Sequence, residues 1–264
     1  MAYHLWSELK ASELAAAVTD ATVALLPVGA IEQHGPHLPL CTDTALAEGM
    51  ALEAAKRVRD ATVLVLPTLS VAKSDEHLDF PGVLTLDAAT LQAVILQIGK
   101  SVARSGLRRL VLLNAHGGNV PVLQIVARAL RIEAGMFCVS AGWMSMGYPQ
   151  GLVPETEIRD GIHGGFVETA AMLHFREDLV AMDLARDFVP QSRHVAENNQ
   201  VLRLMGPVSS GWMVQDLNAD GAAGNAALAT REAGQAMVEH AARRYAQLIE
   251  EVSRHPLSFD AVEA

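Results

Sequence analysis

Cysteine is almost missing from this chain, with two thiols in 264 residues. A small scaffold stapled by disulfides is therefore excluded, and a reducing cytoplasm is the expected compartment. Cys138 falls in the apolar run Met136-Phe137-Cys138-Val139, where a thiol reads as a small buried hydrophobe. Cys41 lies in a polar stretch treated below, but a catalytic thiol there would need a dedicated base. Basic charge is also scarce: 20 Lys and Arg against 30 Asp and Glu give a net charge of -10. No basic run is interleaved with aromatics, so phosphate backbones are poor partners and nucleic acid is set aside. No apolar stretch approaches the roughly 18 residues of a membrane helix. The N-terminus, Met1-Ala2-Tyr3-His4, lacks the basic-then-apolar pattern of a secretion signal. Repeats, low-complexity tracts and linkers are missing as well, which favours one domain over residues 1–264.

What is present is an ordinary globular balance, 50% hydrophobic and 19% charged, enough for a sizeable core. Strand-like runs at Thr22–Val28, Thr62–Leu66, Leu107–Asn114 and Met136–Ala141 alternate with helical patterns. The helices are expected over Thr44–Arg59, Ala88–Arg104 (capped by Asp87 and closed by Gly106) and Val120–Glu133 (ended by Gly135). Further on, Gly165–His174 reads as a helix and Ala222–Val252 as one long helix or a broken pair. Strand-helix alternation with short, continuously apolar strands predicts an α/β fold with a mostly parallel sheet covered on both faces. Residues 145–163 and 190–220 are too long for simple connections and are candidate substrate loops.

Three polar stretches carry chemistry. The first, Gly29 to Thr44, follows the first run directly. If extended, it points Glu32 and His34 the same way, then turns at Gly35-Pro36 and reaches Asp43 just before a helix. A carboxylate, an imidazole and a second carboxylate form a ligand set for zinc or manganese; the alternative is a helix cap with two solvated loop residues. The second, Asn114-Ala115-His116-Gly117-Gly118-Asn119, also ends a strand. Ligands bind beyond the carboxyl ends of parallel strands, so both clusters would meet on one edge. A phosphate-cradling loop is the alternative, without Gly-x-Gly-x-x-Gly or Gly-Lys-Ser to support it. In the third, Asp160 to Thr169, His163 sits in a flexible entry loop as a proton donor near neutral pH. Glu168 follows in a first helical turn, as a ligand or as a carboxylate favoured by the helix dipole. His37 is close enough to support the cluster from behind. Ser74-Asp75-Glu76-His77 reads equally as substrate contact or solvated loop, and Trp143 and Trp212 as pocket lining or core. His4, His174, His194, His240 and His255 lack ligand partners at useful spacing.

At these residues the chain resembles the creatininase (creatinine amidohydrolase) family. The matching elements are Gly29-x-x-Glu32-x-His34-Gly35-x-His37-Leu38-Pro39 with Asp43, then Phe80-Pro81-Gly82-Val83-Leu84-Thr85-Leu86. Asn114-x-His116-Gly117-Gly118-Asn119, His163-x-Gly165-x-x-Glu168-Thr169 and Gly221-x-x-Gly224-Asn225 with Thr230 and Gly234 follow in order. The resemblance implies a three-layer α/β/α fold and a hexamer. It also implies two divalent metals per subunit (zinc, manganese or iron) on Glu32, His34, Asp43 and His116, with Asp43 bridging. Creatininase itself has an aromatic residue and a glutamate ligand after the histidine matching His116. Here those positions are Gly117 and Gly118, which makes Glu168 the replacement expected in the His-Gly-Gly-Asn branch. The expected function is metal-assisted hydrolysis of a non-peptide C–N bond, cyclic amide or formamide, in a small molecule. A C–C hydrolase opening a cyclic ketone, a peptide-trimming maturase and a non-catalytic metal-binding protein are the alternatives.

Overall fold

Five short segments pair side by side in one direction. β1 (Tyr3–Leu5), β2 (Val23–Val28), β3 (Val63–Val65), β4 (Arg109–Asn114) and β5 (Phe137–Gly142) form a sheet of order β1-β3-β2-β4-β5 with all neighbours parallel. The computed structural model describes residues 3–206 and 208–257; Met1 and Ala2 of the N-terminal stretch considered above lie outside them. Every residue of β2 and β4 is buried, because helices cover both faces. Val23, Leu25, Val63, Val65, Val111 and Leu113 meet helices α2 (Thr42–Ala55) and α9 (Arg231–Arg254). The alternate residues Ala24, Leu26, Leu64, Leu110 and Leu112 meet α3 (Ala88–Arg104) and α4 (Val120–Ala134). This is the three-layer α/β/α arrangement that continuous apolar strands predict.

The direction of travel across the sheet decides where a site can form. From β2 the chain steps one way to β3, then crosses back over β2 to reach β4. Because parallel crossovers share one hand, the reversal sends α2 to one face and α3 and α4 to the other. The loops leaving β2 and β4 therefore lead to helices on opposite faces of the sheet. Val28 lies opposite Asn114, so both strands end level.

Four expectations from sequence need correction. The helix after the first polar stretch starts at Thr42 rather than Thr44 and stops at Ala55. Residues 222–252 are neither one helix nor a helix pair: Gly224–Asn225 is strand β7, paired with β6 (Asp187–Phe188), and α9 begins only after Thr230. The Thr230 hydroxyl accepts from Ala233 N at 3.1 Å and sets that start. The two irregular stretches hold short helices, α5 (Glu155–Asp160) in one and α7 (Gln191–Asn198) and α8 (Val214–Leu217) in the other. β1 and α1 (Ala11–Ala17) went unread, β1 being only three residues long. Cys138 lies within β5, and burial pushes its thiol up to about 12, as an inert thiol requires. Cys41 is the residue before α2.

α9 crosses α6 (Phe166–Arg176), which carries Glu168, at very close range. A Cβ built on Gly234 would lie 1.8 Å from the carbonyl oxygen of Ala170. Gly234→Ala must therefore push the helices apart. It is expected to lower the unfolding free energy by about 1–3 kcal/mol, read as a reduced urea midpoint at unchanged slope.

Candidate metal centre

Beyond β2 the chain stays extended, and an antiparallel bridge between Ile31 and Leu84 holds it there. Glu32 and His34 consequently share a face and are both fully buried. α2 delivers Asp43 from its first turn, where the side chain caps nothing, so the helix-cap reading falls away. His116 is fixed by its neighbours. Asn114 Nδ2 donates to the His116 carbonyl at 2.6 Å, and Asn114 Oδ1 accepts from His116 N at 3.2 Å. Asn119 Nδ2 donates to Gly29 O at 3.0 Å, tying the loop after β4 to the loop after β2.

These residues converge tightly. His34 Nε2 lies 3.3 Å from Asp43 Oδ1 and 3.8 Å from Glu32 Oε1. His116 Nδ1 lies 3.2 Å from Glu32 Oε1 and 3.3 Å from Asp43 Oδ2. Two donor atoms each about 2.1 Å from one tetrahedral ion stand about 3.4 Å apart, which is the spacing found here. Both oxygens of Glu32, both oxygens of Asp43 and His34 Nε2 are buried without a hydrogen-bond partner. Buried carboxylates left in that state cost several kcal/mol each, so the donor set fits a cation. Among the described residues, three sets bring donor atoms within 4.8 Å of one another: Glu32-His34-Asp43, His34-His163-Glu168 and Glu32-His77-His163.

The electrostatics follow from burial and proximity. Burial opposes charge on Asp43, yet His34 and His116 hold its carboxyl well below the usual range. Burial likewise opposes charge on His34, and Asp43 still draws it up to about 9. His116 is raised by Glu32 and Asp43 against the same penalty. Burial pushes Glu168 up to about 7, while Gly164 N donates to its Oε2 at 2.6 Å. Burial, with His34 and His77 nearby, keeps His163 well below its ordinary value.

The expected entry-loop position of His163 is corrected. It is 7% exposed and pinned by paired backbone hydrogen bonds with Ala223. Its Nε2 donates to the Gln33 carbonyl at 2.7 Å, so the lone pair is on Nδ1, which faces Glu32 Oε1 at 3.7 Å. Gln33 also orients His77. Its Oε1 accepts from Gly35 N at 2.8 Å, so Nε2 must donate, to Gly221 O at 2.8 Å and to His77 Nδ1 at 3.0 Å. His77 Nε2 then carries a proton toward Glu32 Oε1, 3.3 Å away.

His77 is thus no solvated residue: it is 1% exposed and belongs to the cluster. The signal for it was the resemblance-bearing stretch Phe80–Leu86 just downstream, since Leu84 is the residue that bridges to Ile31. Gln33 carried no signal, as an amide between two ligand-type residues has no spacing of its own. His37 Nε2 is hydrogen-bonded to Thr169 Oγ1 at 2.9 Å and supports the turn before α6. Trp143 is core and Trp212 lines a cleft of about 460 Å³ over the cluster. His4, His174, His194, His240 and His255 belong to none of the ligand sets found among the described residues.

A protein-family model described as creatinine amidohydrolase matches residues 7–249. The chain belongs to the creatininase family. It is 35% identical over 164 residues to the mycofactocin precursor peptide peptidase of Mycolicibacterium smegmatis, and the match spans 61% of each chain. It is 34% identical over 183 residues to the creatinine amidohydrolase of Pseudomonas putida, covering 64% of this chain and 70% of the relative. A manganese creatininase structure superposes with a TM-score of 0.75 at 30% identity, covering 96% of this chain and 99% of that one. A mutant creatininase of Zn-Zn type does so with the same score at 29% identity. No described helix is long and apolar enough to cross a membrane.

His34 binds its proton more tightly in the fold than in the unfolded chain, where a histidine titrates near ~6.5. The stability supplied by its pair with Asp43 is complete below that pH and is lost as the pH rises through about 9. Chelator-treated protein in this creatininase-family fold is expected to melt at progressively lower temperature from pH 7 to 9 by calorimetry. Zinc-loaded protein, which requires His34 neutral, is expected to lack that decline.

Proposed function

We propose that this creatininase-family chain uses two divalent cations, zinc or manganese, to hydrolyse an amide C–N bond. The observation that carries the reading is the convergence of unpartnered, buried Glu32, Asp43 and His34 beneath an open cleft. Glu32, His34, Asp43 and His116 would hold the ions, joined by Glu168, whose carboxylate groups with His34. When bound, such a pair supplies acidified water at neutral pH and polarises a carbonyl oxygen.

The remaining chemistry belongs to the chain. His163 stays neutral in its buried site, and its Nε2–H is engaged by Gln33. Nδ1 is then the working nitrogen: it takes the proton from the attacking water and returns it to the departing nitrogen. The Gly164 amide donates to one oxygen of Glu168 and fixes a carboxylate that groups with His34 and His163.

The size of the cleft bears on the substrate. The 460 Å³ space over the cluster adjoins a second of about 450 Å³, and both are lined by Glu76, Gly117, Gly118 and Trp212. That much room admits an extended chain as well as the small cyclic amide or formamide expected from the resemblance. The relatives named as precursor peptide peptidases support a peptide bond as first choice. The cyclic amide stands second, supported by the relative named creatinine amidohydrolase.

A mass-spectrometric panel of short peptides, lactams, formamides and inososes tests the choice. Peptide turnover alone is expected; turnover of lactams alone would replace it with the second reading. Asp43→Asn is expected to lose both metals and all turnover. His163→Ala is expected to keep its metal while losing about 10²–10⁴-fold in kcat; loss of metal instead would make His163 a ligand.

A further inference from the structure

Gly118 stands where creatininase itself has a glutamate, yet the space beside it is filled. A Cβ built on Gly118 would lie 2.1 Å from Glu76 Oε1, 2.5 Å from His116 Nε2 and 2.9 Å from the Lys73 carbonyl. The carboxylate of Glu76, from a different loop, therefore occupies the room that a side chain at 118 would take. It is only 14% exposed. Its Oε2 is 3.0 Å from Lys73 Nζ, and its Oε1 faces His116 Nε2 at 3.4 Å.

The loop that carries it is docked rather than loose. Lys73 N donates to Asn119 Oδ1 at 3.1 Å and Ser74 N to Thr85 Oγ1 at 2.8 Å. On the other side, His116 Nδ1 points at Glu32 and Asp43. A histidine that coordinates through Nδ1 carries its proton on Nε2 and needs an acceptor there. As placed, that buried nitrogen has no hydrogen bond, and the carboxylate facing it is Glu76.

We propose that Glu76 is the positioning residue for His116: its carboxylate accepts the Nε2 proton, fixes the ring with Nδ1 toward the cluster, and raises the basicity of that nitrogen. Gly118 is glycine so that this carboxylate can reach the ring. The role separates Glu76 from Glu168: Glu76 meets His116 at Nε2, the ring nitrogen away from Glu32 and Asp43, whereas Glu168 groups with His34 and His163. It rests on the two-metal reading above.

The test reads metal affinity, not turnover. Zinc binding is measured by competition with a chromophoric chelator for the parent, Glu76→Ala, Glu76→Gln, Gly118→Ala and the Gly118→Ala/Glu76→Ala double variant. Glu76→Ala is expected to weaken one of the two sites about 10- to 100-fold. Glu76→Gln, which keeps an acceptor oxygen, should restore most of the loss. Gly118→Ala, whose Cβ also crowds His116 Nε2, should weaken zinc at least as much as Glu76→Ala, and the double variant should be no weaker than Gly118→Ala alone. Parent-like zinc affinity in Glu76→Ala, or additive losses in the double variant, overturns the proposal while leaving the metal centre standing. A parent that binds no zinc overturns both. Nitrogen-15 spectra of histidine-labelled, zinc-loaded parent protein need no variant: zinc on Nδ1 with a proton on Nε2 is expected for His116, and zinc on Nε2 overturns the assignment.

Discussion

Glu32 and Asp43 place four buried carboxylate oxygens side by side, and none of the four has a hydrogen-bond partner. Such a pair repels itself and is stripped of hydration, so the fold tolerates it only beside positive charge. The neighbouring carboxylates raise both His34 and His116 against the pull of burial, so each imidazole favours its charged form there. A cation in the same space would displace those protons and satisfy the same oxygens. Proton and metal thus compete for one buried negative site.

The sheet makes that concentration of charge feasible. The reversal after β3 opens a crevice above β2 and β4 without any gap in the packed strands below. Apolar residues on both faces anchor the strands rigidly, and their ends deliver Glu32, His34 and His116 without long flexible linkers. Gln33 then acts twice from between two cluster residues, through its carbonyl on His163 and its amide on His77. It gives the two rings opposite faces: one presents a lone pair and the other a proton.

Much of this was legible beforehand because it depends on local pattern. Continuous apolar runs cannot avoid burial on two sides, so four of the five strands and the parallel sheet could be read directly. Glu32 and His34 share a face by the period of an extended chain, and Asp43 and His116 stood at strand or helix ends where such sheets bind ligands. Less was legible where partners are distant. His77 is 45 positions from Glu32, and its loop looked solvated until the Ile31–Leu84 bridge brought the segments together. His163 looked mobile because glycines follow it, yet its backbone pairs with Ala223, 60 residues on.

By itself the sequence determined the layers of the fold and the edge of the sheet where the polar stretches gather, since each follows from short-range periodicity and strand order. Only the tertiary structure decided which nitrogen of each histidine faces the cluster, which loop fills the space beside Gly118, and how large a cleft stands above. Those are matters of atoms within a few ångströms of one another, from segments that the chain order keeps far apart.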